Sequence, residues 1–77
     1  MDDSEIRSRI EALVEEELRL RENGEHTDEQ RARLRQIEED RDQLWDLLRQ
    51  RDAKRQYGED PDEAAPRSEQ QVEGYLQ

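Results

Sequence analysis

Seventy-seven residues allow one domain at most, and with 29% apolar and 47% charged residues they cannot enclose a sizeable core. The formal net charge of −10 disfavours nucleic acid or an anionic membrane as partner, and the absence of Cys excludes disulfides and thiolate metal sites. A chain of this composition is either disordered or built from long helices whose apolar residues form a stripe. Periodicity decides for helices.

The chain opens on acids and lacks the basic start and apolar stretch of a secretion signal, and no apolar run approaches the roughly 20 residues of a membrane span. A cytoplasmic location is therefore expected. A first helix is predicted over residues 4–22, with Asp2, Asp3 or Ser4 as N-cap; Asp2 and Glu5 have capping-box spacing. Asn23-Gly24 ends it, since both tolerate a left-handed C-cap. Thr27, followed by Asp28, Glu29 and Gln30, restarts the chain with a cap, first-turn acids and a second capping box. The second helix runs over 28–56 without Gly or Pro, Gly58 stops it, and Pro61 forbids its resumption. A short connection makes the two helices antiparallel.

Residues 58–77 differ in kind. Gly58, Pro61, Pro66 and Gly74 interrupt a polar stretch with six acids against one base, which predicts an extended or disordered tail following a hairpin of residues 1–57. Val72, Tyr75 and Leu76 near its end are candidates for docking, onto the helices or onto a partner.

On a wheel of about 100° per residue, Leu20, Leu13, Ile6, Ile10, Val14 and Leu18 span about 160° of the first helix. Leu47, Leu44, Ile37, Leu48, Leu34 and Trp45 span a similar arc of the second. A stripe facing one core is commonly a little over 100° wide, so a single neighbour covers only part of each arc. Two such helices are marginal alone. The expected architecture is thus an all-α antiparallel hairpin that pairs into a four-helix bundle, as a homodimer or higher even oligomer. Candidate interface residues are Trp45, Leu44, Leu47, Leu48, Val14 and Leu18. Trp45, at the edge of its stripe, is read either as bundle core or as an exposed anchor. Glu17 and Arg41 interrupt the seams; they are placed to pair between the helices, or else to lie at the stripe margin with charges in water.

Little in the chain points to chemistry. His26 is the only His, and the Asn23-Gly24 break removes any fixed face shared with Glu22, so no metal site is expected. Glu15-Glu16-Glu17 and Glu38-Glu39-Asp40 lie among Arg19, Arg21, Arg35 and Arg41, as solvated helix faces with local pairing do. Ser4, Thr27 and Ser68 have no neighbouring base that would activate a nucleophile. Arg49, Arg51, Lys54 and Arg55 form a basic run, read as cations opposing a helix C-terminal dipole in preference to an anion site. No catalytic residue, cofactor or small-molecule substrate is expected.

The string Asp42-Gln43-Leu44-Trp45-Asp46-Leu47-Leu48-Arg49-Gln50-Arg51, with Ala53-Lys54-Arg55, Tyr57-Gly58-Glu59-Asp60-Pro61-Asp62-Glu63-Ala64 and the closing Val72-Glu73-Gly74-Tyr75-Leu76-Gln77, resembles a family of short actinobacterial proteins of unknown function. The likeness extends over nearly the whole chain, including Arg31-Ala32-Arg33-Leu34. It implies a bacterial cytosolic protein and transfers no catalytic residue. The functional expectation is an oligomeric helical interaction or scaffolding module. The alternative is a regulator whose acidic hairpin tip, with Glu25, Asp28 and Glu29, binds RNA polymerase; those first-turn acids equally stabilise a helix N-terminus.

Overall fold

Two helices carry most of the chain, and their ends are set by side-chain caps. The computed structural model describes residues 1–24 and 27–76, with the side chains of Glu69, Gln71, Tyr75 and Leu76 left aside. Helix α1 spans Asp3–Glu22. It starts one residue earlier than predicted because Asp2 is the cap, accepting a 2.8 Å hydrogen bond from the Glu5 amide. Helix α2 spans Asp28–Gln56, as predicted. Thr27 Oγ1 accepts from the Gln30 amide at 3.1 Å, and the Gln30 side chain accepts from the Thr27 amide at 3.0 Å, closing the capping box.

Both helices are followed by a glycine in the left-handed region, Gly24 and Gly58, each at φ 73°. At Gly58 the reason is explicit. The Glu59 amide donates to the Lys54 carbonyl at 2.7 Å and the Gly58 amide to the Arg55 carbonyl at 3.1 Å, a Schellman closure that requires positive φ at the residue between.

The helices lie against each other as a hairpin. Ile6, Ile10, Leu47 and Leu48 form the core cluster, with Val14, Leu44 and Ala64 packed against it and Ile37 buried further along α2. The longest dimension is 48 Å, which matches the roughly 44 Å expected of a 29-residue helix.

The tail departs from the extended or disordered reading. After Gly58 the chain makes a 3₁₀ turn, Pro61–Glu63, capped by Asp60, whose carboxylate accepts from the Asp62 amide at 2.9 Å. An extended stretch follows over 64–68, and then helix α3, Glu69–Leu76. Both the turn and α3 pack on α2. Val72, one of the expected docking residues, is 1% exposed. The tail therefore covers part of α2, the docking onto the helices that the sequence offers as one alternative for Val72.

The burial pattern makes two substitutions informative. Ile6→Ala and Ile37→Ala, both at fully buried positions, are expected to cost about 2–5 kcal/mol each in urea denaturation. Thr27→Ala is expected to cost about 1 kcal/mol by loss of the cap.

Candidate functional site

The tail is held to α2 by polar contacts, and these centre on two buried charged residues, Arg51 and Asp46. At about 100° per residue, Arg51 falls in the middle of the stripe made by Leu44, Leu47 and Leu48. Its guanidinium therefore enters the core face, where it needs acceptors. Nε donates to Asp3 at 2.6 Å, and Nη1 donates to Asp62 at 3.0 Å and to the Pro61 carbonyl at 3.2 Å. The first turn of α1, the C-terminal part of α2 and the 3₁₀ turn thus meet on one side chain. Arg55 adds a second contact to Asp3 at 2.6 Å. Hydrogen bonds from Arg51 and then Arg55 hold the Asp3 carboxyl below its ordinary value of 3.8. Asp3 and Asp62 in turn hold the Arg51 guanidinium firmly charged.

Asp46 organises the next stretch. Its carboxylate accepts from Gln50 at 2.9 Å and lies 3.4 Å from the Arg67 guanidinium. Gln50 also donates to the Ala65 carbonyl at 3.0 Å, and Gln43 to the Arg67 carbonyl at 3.1 Å. Gln43, Asp46 and Gln50 share one face of α2, and the extended part of the tail runs along it.

Three cations of the basic run at the end of α2, Arg51, Lys54 and Arg55, are therefore engaged internally. Arg51 and Arg55 pair with Asp3, and Lys54 pairs with Glu59 at 3.2 Å and Glu63 at 4.0 Å. Neither the dipole reading nor the anion-site reading anticipates that their partners come from both ends of the chain. Periodicity passes Arg51 over because it registers apolar residues. The available signal is a charge in the centre of an apolar stripe. Asp46, on the polar face, carries no such signal.

Across the hairpin, Arg33 makes a two-pronged contact to Glu16 at 2.6 and 2.7 Å, and Arg21 reaches Glu38 at 3.5 Å. Glu17 and Arg41 do pair, Nη1 lying 3.2 and 3.3 Å from the two carboxylate oxygens, so they are not simply marginal charges in water. Antiparallel register brings these residues level with one another, and Glu17 also takes Arg21 at 3.7 Å. The acids of the two clusters thus serve interhelical pairing as well as local pairing.

Two surfaces remain open. One is a groove of about 490 Å³ between α1, α2 and the tail, lined mainly by Met1, Ala12, Leu13, Leu44, Leu47 and Pro66. Arg9 and Asp40 are the ionisable side chains in its lining. The other flank carries Leu18, 54% exposed, and Trp45, 41% exposed. On the helical wheel Trp45 lies across α2 from the groove residues Gln43 and Leu47, and Leu18 lies across α1 from Arg9. Of the candidate interface residues, then, Leu47 and Leu48 are in the chain's own core, Val14 and Leu44 are packed against it, and Trp45 and Leu18 face outward. Trp45 sits at the rim and not in the core.

Among the candidate tail residues, the side chains of Tyr75 and Leu76 lie outside the described residues, as do Glu25 and His26 at the hairpin tip. Asp28, beside that tip, pairs with Arg31. Among the described residues there is no group of three or more His, Asp or Glu side chains placed to hold a metal ion, and no helix long and apolar enough to cross a membrane.

The clamp carries a pH dependence with a definite sign. A folded-state pKa of Asp3 below the ordinary 3.8 means that its contribution is fully present above that value and is lost as pH falls through it to the folded value. Asp3→Asn is expected to lower the urea midpoint near neutral pH and to flatten the acid limb of a stability–pH series. Arg51→Ala is expected to lower the melting temperature by several degrees. Arg51→Lys should not restore it, because an ammonium cannot reproduce the fork that spans Asp3 and Asp62.

Comparison with known proteins places the chain among relatives without an assigned role. The family model described as "Protein of unknown function (DUF2630)" matches residues 2–77. The uncharacterized proteins Rv0898c of Mycobacterium tuberculosis and Mb0922c of Mycobacterium bovis are each 51% identical over 77 residues, covering 95% of this chain and 88% of theirs. No solved structure matches. These mycobacterial relatives agree with the resemblance to short actinobacterial proteins, and over almost its whole length the chain belongs to the DUF2630 family, whose function is unknown.

Proposed function

We propose that this protein is a non-catalytic helical interaction module of the bacterial cytosol that self-associates through the flank carrying Leu18 and Trp45. The observation that carries the reading is the exposure of these two large apolar side chains on one flank after the tail has folded back. Burying a large apolar side chain completely stabilises by roughly 1.5–3 kcal/mol. Leu18 and Trp45 are already about half buried, so a homodimer gains roughly half of this for each residue from each copy. Trp in particular supplies much of the energy at protein interfaces.

Val14 and Leu48, on the same side of their helices as Leu18 and Trp45, pack into the core beneath them. They give the flank a rigid base, so little order has to be gained on association. The exposed charges around the flank suit its rim. Arg49 on α2 and Glu11, Glu15 and Glu22 on α1 are all exposed, and opposite signs on the two helices allow complementary contacts between copies. Two hairpins joined in this way form a four-helix arrangement. The stretches that carry the family resemblance include Trp45, the aromatic anchor, and Val72, which docks the tail on α2.

Sedimentation velocity at about micromolar concentration tests the reading. A homodimer is expected for the native chain. The double variant Leu18→Ala with Trp45→Ala should be monomeric with unchanged helical circular dichroism, since neither side chain belongs to the chain's own core. A native chain that sediments as a folded monomer contradicts the proposal.

A further inference from the structure

The groove of about 490 Å³ between α1, α2 and the tail has a fixed apolar floor. Leu47 belongs to the chain's own core and Leu44 is packed against it, so neither has to be ordered when something docks. Pro66 makes the wall on the tail side and is held from both of its neighbours. The Ala65 carbonyl accepts from Gln50 at 3.0 Å, and the Arg67 carbonyl accepts from Gln43 at 3.1 Å. On the α1 side Ala12 is small and exposed, which leaves room above the floor.

The two ends of the groove carry opposite charges. The pairs Asp3–Arg51 and Glu17–Arg41 fix the antiparallel register, which brings Arg9 level with Leu47 and Leu13 level with Leu44. Asp40 lies two turns along α2 from Leu47, roughly 10 Å at 1.5 Å per residue. A cation therefore stands at one end, a carboxylate at the other, and leucines between them.

Both charges have capacity to spare. Arg9 is exposed and makes no hydrogen bond or ion pair among the described residues. Asp40 accepts from Gln36 through one oxygen, at 2.9 Å, and its other oxygen takes no partner among the described residues.

We propose that this groove seats an amphipathic helix of a partner protein, one that carries an acid and a base seven positions apart with apolar residues between them. Side chains at i and i+7 leave a helix on one face about 10 Å apart, the separation of the two charged ends here. Residues at i+3 and i+4 share that face and meet Leu13, Leu44 and Leu47. The partner's acid pairs with Arg9 and its base with Asp40, and these rim charges set register and selectivity while the leucines supply burial. A ligand with an anionic head alone would satisfy Arg9 and be repelled by Asp40. The docked helix lies away from the self-association flank, since Trp45 is across α2 from Leu47 and Leu18 is across α1 from Arg9. The hairpin can thus hold a second copy and a partner helix at once.

Fluorescence anisotropy with the full-length protein and a labelled synthetic helix of about 15 residues tests the proposal. The helix carries Glu and Arg seven positions apart with two leucines between them on an otherwise Ala- and Gln-rich background. Ala12→Gln, which fills the opening without touching the core, should abolish binding and leave both helical circular dichroism and sedimentation unchanged. Replacing the peptide's Glu by Gln, or Arg9→Gln in the protein, should each weaken binding a few-fold, and the two together no more than either alone. The peptide's Arg and Asp40→Asn should be coupled in the same way. Absence of binding, binding that survives Ala12→Gln, or charge losses that simply add would overturn the proposal. So would loss of the homodimer on Ala12→Gln, which would make a second copy the occupant. A native chain that is monomeric but binds the helix as described leaves this site standing while the self-association reading fails.

Discussion

One guanidinium occupies the place where three segments of this chain must meet. Arg51 projects from the apolar stripe of α2 and takes Asp3 from the first turn of α1, together with Asp62 and the Pro61 carbonyl from the 3₁₀ turn. A cation in that position without acceptors would carry a large desolvation cost. With them, it fixes how far along α2 the first helix begins and where the chain turns back after Gly58. Asp3 and Asp62 are themselves partly in water, so the clamp specifies geometry more than it supplies net stability. That division of labour suits a chain with so few apolar residues. The core cluster of Ile6, Ile10, Leu47 and Leu48 supplies the burial, and the charges decide which surfaces come together.

The same logic explains how a tail rich in acid, Gly and Pro can be ordered. Each short piece of it finds a partner on α2: the 3₁₀ turn at Arg51, Ala65 at Gln50, Arg67 at Asp46 and Gln43, and α3 through Val72. Residues 27–57 carry as many bases as acids, whereas 58–77 carry six acids and one base. The basic end of α2 is what such a tail needs. Once it has folded back, Leu18 and Trp45 remain exposed, and self-association is proposed there.

The helices were legible in the sequence because their ends are local events. Thr27 and Gln30 close a capping box, and Gly58 supplies the positive φ that ends α2; both depend on residues within one turn. The core positions Ile6, Ile10, Ile37, Leu47 and Leu48 follow from the 3.6-residue period. The path of the tail depends instead on residues 10 to 48 positions away, such as the Arg51–Asp3 and Arg51–Pro61 contacts, and composition does not encode these. Ser68 and Gln71 do have capping-box spacing, a local hint of α3 that a reading based on low hydrophobicity overrides. Of the surfaces, the outward position of Trp45 was foreshadowed by its place at the stripe edge. The groove was not, because it needs Pro66 as a wall.

Removing residues 59–77 and following urea denaturation tests most directly whether the folded-back tail is integral to the hairpin. The account predicts that the shortened chain, having lost Asp62, Pro61 and Val72 together, unfolds at markedly lower urea, with hydrogen exchange at the first turn of α1 accelerated as Arg51 loses its acceptors. A shortened chain with the same midpoint and the same protection around Ile6 would contradict it, and the tail would then be an appendage to a hairpin that stands without it.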